Sequence, residues 1–262
     1  MRTTIPLFVI SSVLCATVAQ AGILVVPNEL AGVEGDVNLC FPFGCSDIQT
    51  GSSYRAQQVF ASSEFGIGGL ITQVAFRPDG LTTVGGVSFV TGRAFPATLL
   101  SHVQINLSST SAAPDGLSAT FASNVGANDT IVFDGSLSLS SSFTGPADGP
   151  KAFDIVINLT TPFLYTPRSG NLLLDIRDFS AGGVIVSPLD AQNTIGDSIS
   201  RVFTNDAGNV GDVAGIFSSN ALVTQFTIDS STSVPEPRSF GLFVVMGVST
   251  LVARRLRKSN QS

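Results

Sequence analysis

The chain has 262 residues, 44% hydrophobic and only 12% charged, with a net charge of −6. That acidity excludes nucleic acid as a partner, because phosphate contacts need a positive surface. One histidine, three cysteines and no tryptophan leave few groups for imidazole or metal chemistry.

Arg2 supplies a short positive start, and Ile5 to Val18 is mostly apolar. Ala19-Gln20-Ala21 then offers two small side chains in the small-x-small spacing that signal peptidase accepts. Residues 1–21 are therefore read as a secretory signal peptide, cleaved before Gly22 by signal peptidase at Ala19 and Ala21. Between this segment and the carboxyl end, residues 22–233 hold 18 acidic and 7 basic residues, so the exported part is near −11.

Residues 22–52 read as an N-terminal arm that carries the stretch LCFPFGCS. Export puts Cys40 and Cys45 in an oxidising compartment, and Pro42 and Gly44 allow a tight turn between them. A Cys40–Cys45 disulfide is expected, contributing about 2 kcal/mol because its loop is small. Two cysteines without a nearby histidine make a poor zinc set.

Residues 53–229 form the ectodomain. Leu70 to Phe76 alternates, with Leu70, Val74 and Phe76 on one face. His102 to Leu107 does the same with Val103, Ile105 and Leu107. In Phe153 to Leu159, Phe153, Ile155, Ile157 and Leu159 face one way. Thr130–Leu139, Asn171–Arg177 and Leu222–Asp229 add further strands. Period-two patterning with polar alternates marks half-buried antiparallel strands. Turn formers separate them at Pro78-Asp79-Gly80, Pro114-Asp115-Gly116, Gly145-Pro146, Gly182-Gly183 and Asn205-Asp206-Ala207-Gly208. No helix-period run with caps stands out. The expectation is an all-β domain, an antiparallel β-sandwich of jelly-roll type, with the 19 phenylalanines filling its core.

Chemistry is hard to find here. His102 lies on the polar face of a strand, and no nucleophile elbow accompanies it. Glu29, Glu34 and Glu64 are the glutamates of the exported part, and most aspartates sit in turns, so a glycosidase carboxylate pair is not legible. A sugar-binding platform would draw on Tyr54 or Tyr165, the two tyrosines. Asn205, Asp206, Asn209 and Asp212 offer oxygens from one loop, which makes Asp206 and Asp212 the candidate cation ligands, though without EF-hand spacing. The threonines are too scattered for a flat ice-binding array. Sequons occur at Asn106, Asn128 and Asn158. No enzyme and no cofactor is expected.

Ser230 to Ser233 is a polar linker of residues 230–233. Val234-Pro235-Glu236-Pro237 follows, and Ser239 to Ala253 is then free of charge. As a helix those 15 residues would span about 22 Å, short of the roughly 30 Å hydrocarbon core. Arg254, Arg255, Arg257 and Lys258 would stay on the cytoplasmic side. This order resembles the PEP-CTERM sorting signal of Gram-negative bacteria, over residues 234–258. The resemblance implies recognition by an exosortase, a membrane transpeptidase that cuts near the Pro-Glu-Pro. It also implies Sec export, transient inner-membrane anchoring through helix 239–253 with its basic tail 254–258, and delivery to the outer surface or extracellular matrix. Tyr54–Phe60, Phe76–Asp79, the segment 103–108 and the segment 170–176 are similar to the ectodomain found on many such proteins, for which no activity is implied. The sequence thus points to an exported structural or interaction protein. A module binding exopolysaccharide is the alternative partner assignment, and a hydrolase a third.

Overall fold

Alternating Val, Ile, Leu and Phe residues put one side of each segment in contact with apolar neighbours and leave the other side wet, and such segments pair into sheets. The computed structural model describes residues 21–40, 42–43, 54–80, 82–84, 87–89, 95–147, 149–180, 188–204 and 214–229. Gln20–Ser230 form one unit. In chain order the described strands are β1 (Ala21–Val26), β2 (Val37–Leu39), β3 (Tyr54–Phe60), β4 (Gly69–Phe76), β5 (Thr82–Val84), β6 (Val87–Phe89) and β7 (Phe95–Thr110). Then come β8 (Thr130–Ser141), β9 (Ile155–Tyr165), β10 (Asn171–Asp178), β11 (Leu189–Gln192), β12 (Ile199–Phe203), β13 (Ile216–Ser218), β14 (Ala221–Leu222) and β15 (Thr224–Asp229). Short 3-10 turns at Asn28–Leu30, Ser62–Phe65, Phe121–Asn124 and Pro167–Ser169 supply the helical content of the described residues. The fold is all-β.

Every pairing between these strands is antiparallel. One sheet runs β1-β15-β4-β9 and a larger one β13-β12-β3-β10-β7-β8. Smaller sheets are β14-β11-β2 and β5-β6. Inward residues of both main sheets share one buried cluster: Ile71, Val74, Phe76, Ile157 and Phe226 from the first, Phe60, Val103, Ile105, Leu172 and Leu174 from the second. Phe60 and Phe226 meet edge to face at 5.0 Å, and Phe65 meets Tyr165 at 4.8 Å, the geometry that aligns ring edges with π faces.

Two sequence expectations need correction. Leu70 does not share the core face of β4. A bulge between Ile71 and Gln73, opposite β9, shifts the register, so Ile71 points inward and Leu70 stays partly exposed. One extra residue reverses the alternation on either side of it. Phe153 also leaves the face of Ile155, Ile157 and Leu159. It precedes β9 and packs instead on a separate cluster of Val25, Leu30 and Val223.

The segment read as an N-terminal arm is stitched into the fold twice. β1 pairs with β15 from Ala21↔Asp229 to Val26↔Thr224, and β2 pairs with β11. Phe43 is fully buried against Phe76. Cys40 is disulfide-bonded; Cys45 lies outside the described residues. So do residues 1–20 of the expected signal peptide 1–21, the expected sorting segment 234–258, the cation candidates Asp206 and Asp212, and the Gly182-Gly183 turn.

Candidate functional site

The outer face of the six-stranded sheet carries most of the charged side chains that the fold brings together. Leu172, Leu174 and Ile176 of β10 fill the core, so Leu173, Asp175 and Arg177 project to the other side. Register sets their neighbours. Asp175 lies between Gln57 of β3 and Asn106 of β7, and Arg177 between Arg55 and Gln104. Gln104 in turn pairs with Asp134 of β8.

Asp175 is nearly enclosed and accepts from both flanking guanidiniums. Arg55 donates through Nε at 3.0 Å and Nη2 at 2.6 Å, and Arg177 through Nη2 at 3.1 Å. Gln57 adds a fourth bond at 3.0 Å. Burial alone would raise this carboxyl, but the hydrogen bond and charge of Arg55, helped by Arg177, hold it below the usual carboxylate range. The loop after β7 covers one half of the face. Leu117 and Phe121 pack on Val59, Leu173 and Val202, and the Arg55 guanidinium lies 4.4 Å from the Phe121 ring centre. Asn124 closes the network by donating to Gln57 at 3.0 Å.

The other half is open. His102 and Asp134 are each about half exposed and meet at 2.8 Å. The His102 ring stacks on Phe179 at 4.7 Å. Asn106 donates to Asp129 at 3.0 Å and receives a bond from Gln104 at 2.7 Å. His102 thus falls on the polar face of its strand. Ser180 Oγ bonds only the backbone of His102, not its imidazole, so the two form no nucleophile–base pair.

A second charged cluster is structural. Arg77 is 1% exposed and binds Asp190 at 2.6 Å through Nε. Its Nη2 donates to the carbonyls of Leu30 and Val33, and its guanidinium lies over Phe153. Asp190 also accepts from Gly35 at 2.9 Å. A Cβ on Gly35 would come within 2.0 Å of the Ala191 carbonyl oxygen, so only glycine lets the backbone reach this carboxylate. The clamp ties the loop between β1 and β2 to β4 and β11. An adjacent groove of about 370 Å³ is lined by Arg77, Thr144, Lys151 and Phe153. Lys151 spends its ammonium on the carbonyls of Pro146 and Ala147, over the Phe143 ring.

The tyrosine platform is contradicted. Tyr54 and Tyr165 are fully buried, so neither can stack a sugar ring. Tyr165 donates to the Gly170 carbonyl at 2.8 Å, and burial raises its phenol above the ordinary value. Strand-embedded tyrosines at inward positions serve the core, which the sequence pattern alone did not distinguish from display. Among the described residues no group of His, Cys, Asp and Glu is placed to hold a metal ion, and no helix is long and apolar enough to cross a membrane. The Arg55–Asp175–Arg177 cluster was not singled out in the sequence. Its signal was the charged pair inside the otherwise apolar NLLLDIRD strand.

Several turn aspartates do the local work expected of them. Asp178 accepts from the Ser180 amide, Asp197 from Ile199 and Asp154 from Ser142. Asp178 is fully buried and its Oδ2 has no partner. Desolvation pushes its carboxyl up to about 6, against the Ser180 bonds and the charge of His102. A carboxyl raised on folding binds its proton more tightly in the native state, so stability falls as pH rises between about 4 and 6. Asp178→Asn removes that loss. It is expected to stabilise the protein at pH 7 by up to about 3 kcal/mol, with little effect at pH 4. Urea midpoints at the two pH values check this; an equal shift at both would contradict it.

The chain matches no protein-family model, no curated protein and no solved structure.

Proposed function

We propose that this chain is an exported protein of structural or interaction type, without enzymatic activity, delivered to the cell surface or extracellular matrix by its carboxyl-terminal sorting signal. The observation that supports the reading is the order in the sequence, an apolar start ending in Ala19-Gln20-Ala21, then the all-β body, then Val234-Pro235-Glu236-Pro237 with an apolar run and four cations. β1 and β15, the first and last described strands, pair with each other from Ala21↔Asp229 to Val26↔Thr224 and close one body. Among the described residues, the buried clusters run from Val25 to Ile228. The two sheets around their shared core fit a β-sandwich of jelly-roll type. On this reading signal peptidase acts at Ala19 and Ala21, helix 239–253 holds the chain in the inner membrane with Arg254, Arg255, Arg257 and Lys258 inside, and an exosortase acts near Val234, Pro235, Glu236 and Pro237.

Replacing Pro235, Glu236 and Pro237 with alanine in a host that has an exosortase should leave a full-length, membrane-retained protein. Wild type should lose its tail and leave the membrane. Intact-mass measurement of both forms tests this, and identical mature masses would overturn the proposal.

A further inference from the structure

The open half of the six-stranded sheet holds more donors than the protein satisfies. Asp175 is a single carboxylate serving two guanidiniums, so the cluster with Arg55 and Arg177 carries one positive charge in excess. It does so in an exported domain that is strongly acidic overall. Arg177 commits Nη2 to Asp175, while its Nε is enclosed with no partner. An enclosed N–H without an acceptor is costly, and here it marks a site short of acceptor oxygens. The side chain is 26% exposed, so its outer edge is open to a ligand. A guanidinium edge matches a carboxylate in a paired, planar way that an ammonium does not.

What surrounds Arg177 narrows the ligand further. The row Arg177, Gln104, Asp134 crosses three adjacent strands, with His102 bonded to Asp134 at its end. Between them these planar groups donate (Arg177 and Gln104) and accept (Gln104 and Asp134), a set suited to vicinal hydroxyls. The stacked His102–Phe179 pair supplies an aromatic body beside them. Asp129 and Asp134 add negative charge beside the row, so recognition of an acidic ring rests on the open edge of Arg177 and not on a net positive face. Strands spaced about 4.8 Å apart spread the row over roughly 10 Å, more than one sugar ring needs.

We propose that this face binds an acidic oligosaccharide, with Arg177 taking a ring carboxylate and Gln104, Asp134 and His102 taking hydroxyls. The inference goes beyond the delivery reading and does not depend on it, because it is tested on the purified full chain. Isothermal titration with tri-galacturonate and with neutral galactotriose provides the measurement. Wild type should bind the acidic trisaccharide at least tenfold more tightly than the neutral one. Arg177→Gln should weaken the acidic trisaccharide at least tenfold, and Arg177→Lys should restore part of that loss. Gln104→Glu, at a partly buried position, places a like charge beside the carboxylate and should also weaken acidic binding tenfold. It keeps the Arg55–Asp175–Arg177 contacts and gives up only the Gln104–Asn106 bond, and so serves if Arg177→Gln proves unfolded by circular dichroism. No saturable binding of tri-galacturonate at millimolar concentration would overturn the proposal, as would equal affinity for the two trisaccharides. Complete displacement by equimolar acetate would reduce the site to a simple anion site and overturn the saccharide assignment.

Discussion

Arg77→Met is expected to cost about 3–5 kcal/mol of stability, because it leaves the buried Asp190 carboxylate without its cation. With a urea slope of about 2–3 kcal/mol/M, the midpoint should fall by about 1–2 M. The effect has three parts. The variant loses the 2.6 Å bond to Asp190, the ties to the Leu30 and Val33 carbonyls, and the contact over Phe153. Asp190 itself is 1% exposed and keeps only backbone and loop partners such as the Gly35 amide. Adding Asp190→Leu to Arg77→Met should recover part of the loss, because the orphaned charge is then gone. A double variant less stable than the single one would show that the loop ties, not the ion pair, dominate. The midpoint of Arg77→Met alone tests the larger claim: a value equal to wild type would remove this clamp from the account of the fold.

Asp175→Asn carries the second large effect. It strips the negative charge from between Arg55 and Arg177 and leaves two guanidiniums facing each other across a nearly closed space. A loss of about 3–5 kcal/mol is expected at pH 7. The pH dependence gives the claim its signature. A carboxyl whose value is lowered on folding contributes stability above its unfolded value, and that contribution disappears as pH falls through the folded value. The cost of Asp175→Asn should therefore shrink below about pH 4, where the wild-type carboxyl in the unfolded chain is protonated. Asp178 acts in the opposite sense, with stability falling between about pH 4 and 6. With Asp190 and Asp197, which are raised like Asp178, these groups give wild type a stability maximum on the acid side of neutrality. Burial raises Asp190 and Asp197 to about 6 as well, so Asp178→Asn should reduce and not abolish the fall above pH 4, while Asp175→Asn should reduce the acid limb; urea midpoints of wild type and both variants across pH 3 to 8 separate them. A Asp175→Asn penalty that is the same at pH 3 and pH 7 would mean that its cause is packing and not charge.

The alternation in His102–Leu107 and Ile155–Leu159 was enough to assign strands and inward faces, because a half-buried strand cannot satisfy its pattern in any other way. Val103, Ile105, Leu107, Ile155 and Ile157 all reach the core. The same logic failed at Leu70, where a bulge inserts a residue that no period-two reading can detect. β1, β2 and β3 went unread as strands for a different reason. Their places depend on partners far along the chain: β15 for β1, β11 for β2, β10 and β12 for β3.

What the sequence determined by itself was local: strand periodicity and turn chemistry. Tertiary structure alone decided which polar residues meet. Arg55 and Asp175 are 120 residues apart and Arg77 and Asp190 are 113 apart, and only antiparallel register brings them together. It likewise decided that Tyr54 and Tyr165 face inward while His102, Gln104, Asp134 and Arg177 share an open sheet. Period two tells which residues of one strand share a side, but which side lies against the core, and beside which strand, is set by long-range pairing.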